Sequence, residues 1–83
     1  MSDLDVLPKV QAAFNATFDI DPQSVTMETT ANDVPYWDSV GHLSLGANLE
    51  QAFEISLDVD DLMEMESVGK IVRVISEKLA KKV

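Results

Sequence analysis

Val68, Ile71, Val72, Ile75 and Leu79 recur at intervals of three and four residues, the period of one face of an α-helix. A helix with a single apolar stripe is stable only when that stripe is covered, so the rest of the chain must supply the cover. Leu7, Val10, Phe14 and Phe18 repeat the same spacing near the start. Only Ser56-Leu57-Asp58-Val59 alternates like a strand, and it is too brief to build a sheet. The 83 residues contain no cysteine, so no disulfide stands in for a core. That length suits one domain, residues 1–83, and two would each be too small. The fold class expected is all-α.

Punctuation along the chain divides it into helices. Asp5 reads as the cap of the first, with Pro8 still in the tolerant first turn, and the stripe fades around Asp19. From Asp21 to Trp37, Pro22, Pro35, Asn32 and a Thr-Thr-Ala-Asn-Asp run mark a long connection. Loops of that length in a small domain are often functional. Val25, Met27, Val34 and Trp37 are expected to pin it to the core. A second helix opens at Asp38 or Ser39 and runs to about Ile55. A short third turn covers Asp58 to Met65, with Asp58 or Asp60 as its cap. The fourth starts at Ser67, a cap candidate, and its closing lysines complement the negative end of the helix dipole. The architecture expected is a small four-helix bundle, three main helices and one short one, with a long loop between the first and second helices.

Charge narrows the function. Twelve carboxylates lie between Asp19 and Glu66, a stretch without lysine or arginine, and the net charge is −9. Five of the six basic residues (Lys70, Arg73, Lys78, Lys81, Lys82) fall near the end. Such a surface repels phosphate backbones and anionic lipid, which argues against nucleic-acid and membrane roles, and attracts basic protein surfaces. The plainer explanation is that acidity keeps a small protein soluble. No apolar run approaches a membrane span. The acidic start Met1-Ser2-Asp3-Leu4-Asp5 lacks the basic opening of a signal peptide. A cytoplasmic monomer is the expectation.

The second helix carries two apolar stripes. Leu45, Leu49, Ala52 and Phe53 share one broad face, which meets the core. Val40, Leu43 and Ala47 fall on the opposite side among Ser44, Glu50 and Gln51. Either the long loop covers this second stripe or a partner does, and the partner is slightly favoured.

Ser39, between Asp38 and Val40, is the one residue with several roles open to it. As a helix cap it would satisfy a free backbone N–H, worth about 1 kcal/mol. As a hydrolytic nucleophile it would need a base and oxyanion donors. His42, the only histidine, is a same-side neighbour, but no glycines bracket the serine in a nucleophile elbow. As an anion or phosphorylation site it would face opposing carboxylates. No catalytic residue is assigned on this basis.

The segment WDSVGHLSLGANLEQAFEISLDVDDLMEMESVGKIVRVI resembles the acyl carrier protein family. The resemblance covers nearly the whole chain. It rests on Asp38-Ser39-Val40, on the run Leu49, Glu50, Phe53, Ile55, on the acidic third segment and on Ser67, Val68 and Ile71. It implies a covalent 4′-phosphopantetheine arm on Ser39, installed from coenzyme A by a phosphopantetheinyl transferase, with Asp38 positioning the serine. It implies that acyl or aminoacyl intermediates travel as thioesters between loading and client enzymes of fatty-acid-like, polyketide or specialised biosynthesis. It further implies partner recognition by Val40, Leu43, Ala47, Glu50 and Glu54. An acyl cavity, if present, would be lined by Gly46, Phe53, Met63 and Ile71. Val40 stands in place of the family's leucine, and Ser44 and Gln51 stand where fatty-acid carriers are acidic. WDSVGHLSL is closer to free-standing carriers of specialised pathways.

The remaining features have plain explanations. Met27, Met63 and Met65 read as gap-filling core or cavity lining. Asp58 to Glu66 is rich in carboxylates but lacks the spacing and glycine of a calcium loop, so no metal is expected. The expectation is thus a carrier, not an enzyme. Its rival is an acidic helical adaptor that docks through Val40, Leu43 and Ala47, with Ser39 only a cap.

Overall fold

The computed structural model describes residues 3–81, so Met1, Ser2, Lys82 and Val83 lie outside the described residues. Four α-helices follow in order: α1 Asp3–Phe18, α2 Ser39–Phe53, α3 Val59–Glu64 and α4 Val68–Lys81. A 3-10 turn at Pro22–Ser24 sits in the first loop. No strand forms among the described residues beyond an isolated antiparallel bridge between Thr30 and Ser67. This is the all-α architecture expected, three main helices plus one short one. No helix is long and apolar enough to cross a membrane.

α1 packs against both α2 and α4, while α3 spans from α2 to α4. Val6, Val10 and Phe14 of α1 meet Leu45, Leu49 and Phe53 of α2, with Val68, Ile71, Val72 and Ile75 of α4 closing the core. Each such side chain contributes about 1.5–3 kcal/mol through its burial. The α4 stripe read from spacing is the buried one, except that Leu79 is only partly covered. Ala52 is exposed, since it sits at the edge of the α1–α2 seam.

Two local expectations are corrected. α1 begins at Asp3, so Asp5 lies inside the first turn and is not its cap, and Pro8 interrupts the hydrogen-bond ladder in the second turn. Met27 does not pin the loop by its side chain, which is 40% exposed; Val25, Val34 and Trp37 do. The Met27 main chain does the docking instead. Its carbonyl accepts from Gly69 N–H at 2.9 Å, and the Thr29 carbonyl accepts from Val68 N–H at 2.9 Å. With Ser67 Oγ accepting from Lys70 N–H at 3.3 Å, the loop and Ser67 together satisfy three of the orphan amides at the start of α4.

α3 has no buried residue of its own and depends on polar ties. Asp58 and Asp61 form a capping box, Asp61 N–H donating to Asp58 Oδ1 at 2.9 Å and Asp58 N–H to Asp61 Oδ2 at 3.1 Å. Lys78 of α4 donates to Asp61 Oδ2 at 2.7 Å. That hydrogen bond holds the Asp61 carboxyl below its ordinary 3.8 and lifts the Lys78 ammonium above its ordinary 10.5. A lowered carboxyl stabilises the fold above its unfolded value and loses that contribution as pH falls through the folded one; a raised ammonium loses its contribution as pH rises. The stability gap between the parent and Lys78→Met should therefore be widest near neutrality. In urea titrations it should close below about pH 4 and again in strong alkali. A gap that stays constant across that range would show that the pair does not stabilise the fold.

Candidate functional site

α2 starts where Asp38, in extended conformation, accepts Gly41 N–H on its Oδ1 at 2.9 Å. Asp38 is therefore the cap, and Ser39 is the first helical residue. The alternative in which Ser39 serves only as a cap loses its basis, because the neighbouring carboxylate already does that work. Ser39 is exposed, and its hydroxyl makes no hydrogen bond among the described residues. It stands at the positive end of α2, where a negative group is favoured.

The approach to Ser39 is built tightly. Tyr36 holds a left-handed φ of 69° and is 82% exposed. Such a φ is uncommon for a bulky residue and costs of order 1 kcal/mol or more. Gly41 makes it possible. A Cβ there would collide with the Tyr36 carbonyl oxygen and lie 2.8 Å from Phe18 Cε1. From helix propensity alone, Gly41→Ala stabilises by roughly 1 kcal/mol. Because the obstacle is backbone, the expected result is the reverse, a net loss of about 1–2 kcal/mol in chemical denaturation.

Trp37 is buried behind the serine. Its ring meets Phe14 edge-on at 5.0 Å and lies 6.4 Å from Phe18. Its indole N–H donates to His42 Nδ1 at 2.8 Å, while His42 Nε2 lies 2.7 Å from the Leu62 carbonyl of α3. Both ring nitrogens are thus engaged away from Ser39. His42 does not serve as a base for the serine, and hydrolysis loses its essential partner. Among the described residues no group of three or more His, Asp or Glu is placed to hold a metal ion.

The outer face of α2 presents Val40, 74% exposed, followed by the exposed Leu43 and Ala47. The long loop does not cover this stripe. Glu54 is also at the surface, as the left-handed C-cap of α2. Glu50 differs from expectation, because its Oε2 turns inward to accept Leu57 N–H at 2.9 Å and hold the α2–α3 connection.

A groove of about 290 Å³ runs beside Ser39 between α2 and α3, walled by Trp37, His42, Leu62, Met63 and Met65. Asp38 and Glu66 give it a polar edge. The four side chains expected to line a cavity do not come together. Only Met63 reaches this groove, as a 69% exposed surface residue; Met65 is the methionine in the core. Phe53 and Ile71 are core, and Gly46 is filled by Leu62, whose Cδ2 lies 2.7 Å from where a Cβ would stand. Tyr36, His42 and Leu62 were not marked as site residues. Gly41 at a helix start next to the only histidine was the available signal for two of them.

A family model described as a phosphopantetheine attachment site matches residues 8–75. The fold is similar to the solution structure of a holo acyl carrier protein from Geobacter metallireducens, with a TM-score of 0.82 and 34% identity. That match covers 93% of this chain and 88% of the other. Comparison by sequence with curated proteins gives no match.

Proposed function

The chain belongs to the phosphopantetheine attachment family of acyl carrier proteins, and we propose that it tethers acyl or aminoacyl units through an arm on Ser39. Its cofactor is covalently attached 4′-phosphopantetheine. The observation that carries the choice of Ser39 is the division of labour at the start of α2. Asp38 caps the helix, and Ser39 offers an exposed hydroxyl without a partner among the described residues. The residues present fit the group, since a phosphodiester on Ser39 Oγ would stand at the positive end of α2, and no side chain of the described residues closes over it. When bound, the arm supplies a thiol on which carboxylic acids are held activated for transfer.

The protein's own contribution is docking and release. The family implies a phosphopantetheinyl transferase and biosynthetic enzymes as partners. Val40, Leu43 and Ala47 offer them an uncovered apolar strip beside the serine, within a stretch free of lysine and arginine. Charge complementarity with basic patches favours fast, salt-sensitive encounters, which suit a carrier that must leave each enzyme in turn. In this reading the chain is a cytoplasmic monomer and a carrier rather than a catalyst. Val40 in place of leucine, with Ser44 and Gln51 on the same helix, favours a specialised pathway over general fatty-acid synthesis.

The test is intact mass after incubation with coenzyme A and a broad-specificity transferase. A gain of one phosphopantetheine is expected. No gain, with the protein folded and the transferase active on a control carrier, would overturn the proposal.

A further inference from the structure

His42 is bound on both sides by partners whose polarity is fixed. An indole N–H only donates, so Nδ1, 2.8 Å from Trp37 Nε1, must be an acceptor without a proton. A carbonyl only accepts, so Nε2, 2.7 Å from Leu62 O, must carry the proton. These two contacts leave one state of the ring, the neutral Nε2–H tautomer. They also join three elements, since Trp37 ends the long loop, His42 lies in the first turn of α2 and Leu62 lies in α3.

α3 needs such a tie. It buries no residue fully, and its other anchors are the Asp61–Lys78 pair and Leu62 seated on Gly46. His42 and Leu62 together form a wall of the groove at Ser39. We propose that His42 is a positioning residue: as the neutral Nε2–H tautomer it fixes α3 beside Ser39 and so sets the groove next to the attachment point. Protonating the ring places a second donor on Nδ1, facing the Trp37 N–H. A ring protonated at Nδ1 loses the Trp37 bond while its Nε2–H still donates to Leu62, so only the neutral tautomer joins the loop, α2 and α3 at once.

The charged groups around the ring are all acidic on the groove side. Asp38 of the α2 cap and Glu66 of the α3–α4 connection share the groove, and Asp61 and Glu64 flank Leu62 in α3. Asp61 is engaged by Lys78, and Glu66 by Lys70 at 3.6 Å. α1 contributes uncharged rings, Phe14 and Phe18, through Trp37. No lysine or arginine lines the groove.

The experiment uses the unloaded full chain, with His42→Phe and His42→Gln beside the parent. Imidazole 15N spectra of the parent at pH 8 should show an unprotonated Nδ1 and a protonated Nε2. Protection factors for α3 amides at pH 8 should be about tenfold lower in His42→Phe than in the parent, with those of α1 little changed. In His42→Gln, whose amide offers one acceptor and one donor, they should stay close to the parent's. An Nδ1–H tautomer, or α3 protection that is the same in parent and Phe variant, would overturn the proposal. These readouts do not involve the arm, so they stand apart from the assignment of Ser39. The link to function does rest on that assignment. There, arm transfer to His42→Phe should show a raised KM with kcat little changed, because the hydroxyl itself is untouched. A fall in kcat at unchanged KM would count against α3 placement as the cause.

Discussion

Ser39→Ala is expected to abolish attachment of phosphopantetheine while leaving the fold in place. The hydroxyl is exposed and makes no hydrogen bond among the described residues, and helix α2 keeps its cap, so stability should change by less than about 0.5 kcal/mol. Asp38→Ala gives the opposite pattern. It removes the acceptor of the Gly41 N–H and should cost about 1 kcal/mol of stability, yet it leaves the nucleophilic oxygen in position. Thermal unfolding and intact mass on the two variants separate the roles. A Ser39→Ala protein that still gains the arm would move the attachment to another hydroxyl, and one that unfolds would return Ser39 to a structural role.

Trp37→Ala should have the largest effect on stability. Truncation leaves a cavity beside Phe14 and Phe18 and strips His42 Nδ1 of its donor. Core aromatic-to-alanine changes cost about 3–5 kcal/mol. A domain of this size has only about 4–12 kcal/mol in total. The midpoint of thermal unfolding should therefore fall by about 15 °C or more. Trp37→Phe divides the loss, keeping most of the packing and removing only the N–H. If Phe proves as damaging as Ala, the hydrogen bond outweighs the ring.

The helices were legible in the sequence because their evidence is local and repeated. Val68, Ile71, Val72 and Ile75 announce a buried face, and Asp58 and Ser67 sit where caps belong. The exposed stripe of Val40, Leu43 and Ala47 was legible for the same reason, since one helix in such a bundle has no use for a second buried side. At Asp38-Ser39 both residues are good caps, and only the backbone decides between them. Gly41 read as a weak point in a helix, because the Tyr36 carbonyl it accommodates belongs to a different segment with its own unusual φ. The Leu62 carbonyl that holds His42 has no sequence signature at all, since every residue carries one. The guess of Gly46, Phe53 and Ile71 as a cavity lining failed on packing: side chains that suit a cavity also suit a filled core, and here Leu62 and the core occupy the space.

The docking of the first loop on α4 has a consequence for how the chain folds. Carbonyls at Met27 and Thr29 meet amides at Gly69 and Val68, so the first turn of the last helix is held by a segment some forty positions earlier. Bringing those ends together carries a loop-closure entropy that contacts within a helix avoid. The first turn of α4 gains these partners only once the loop has come to rest. Among small helical domains, which fold fast because their contacts are local, this chain carries a built-in long-range step. Its final helix should be the last of the three long ones to lock, and its first turn the first to fray.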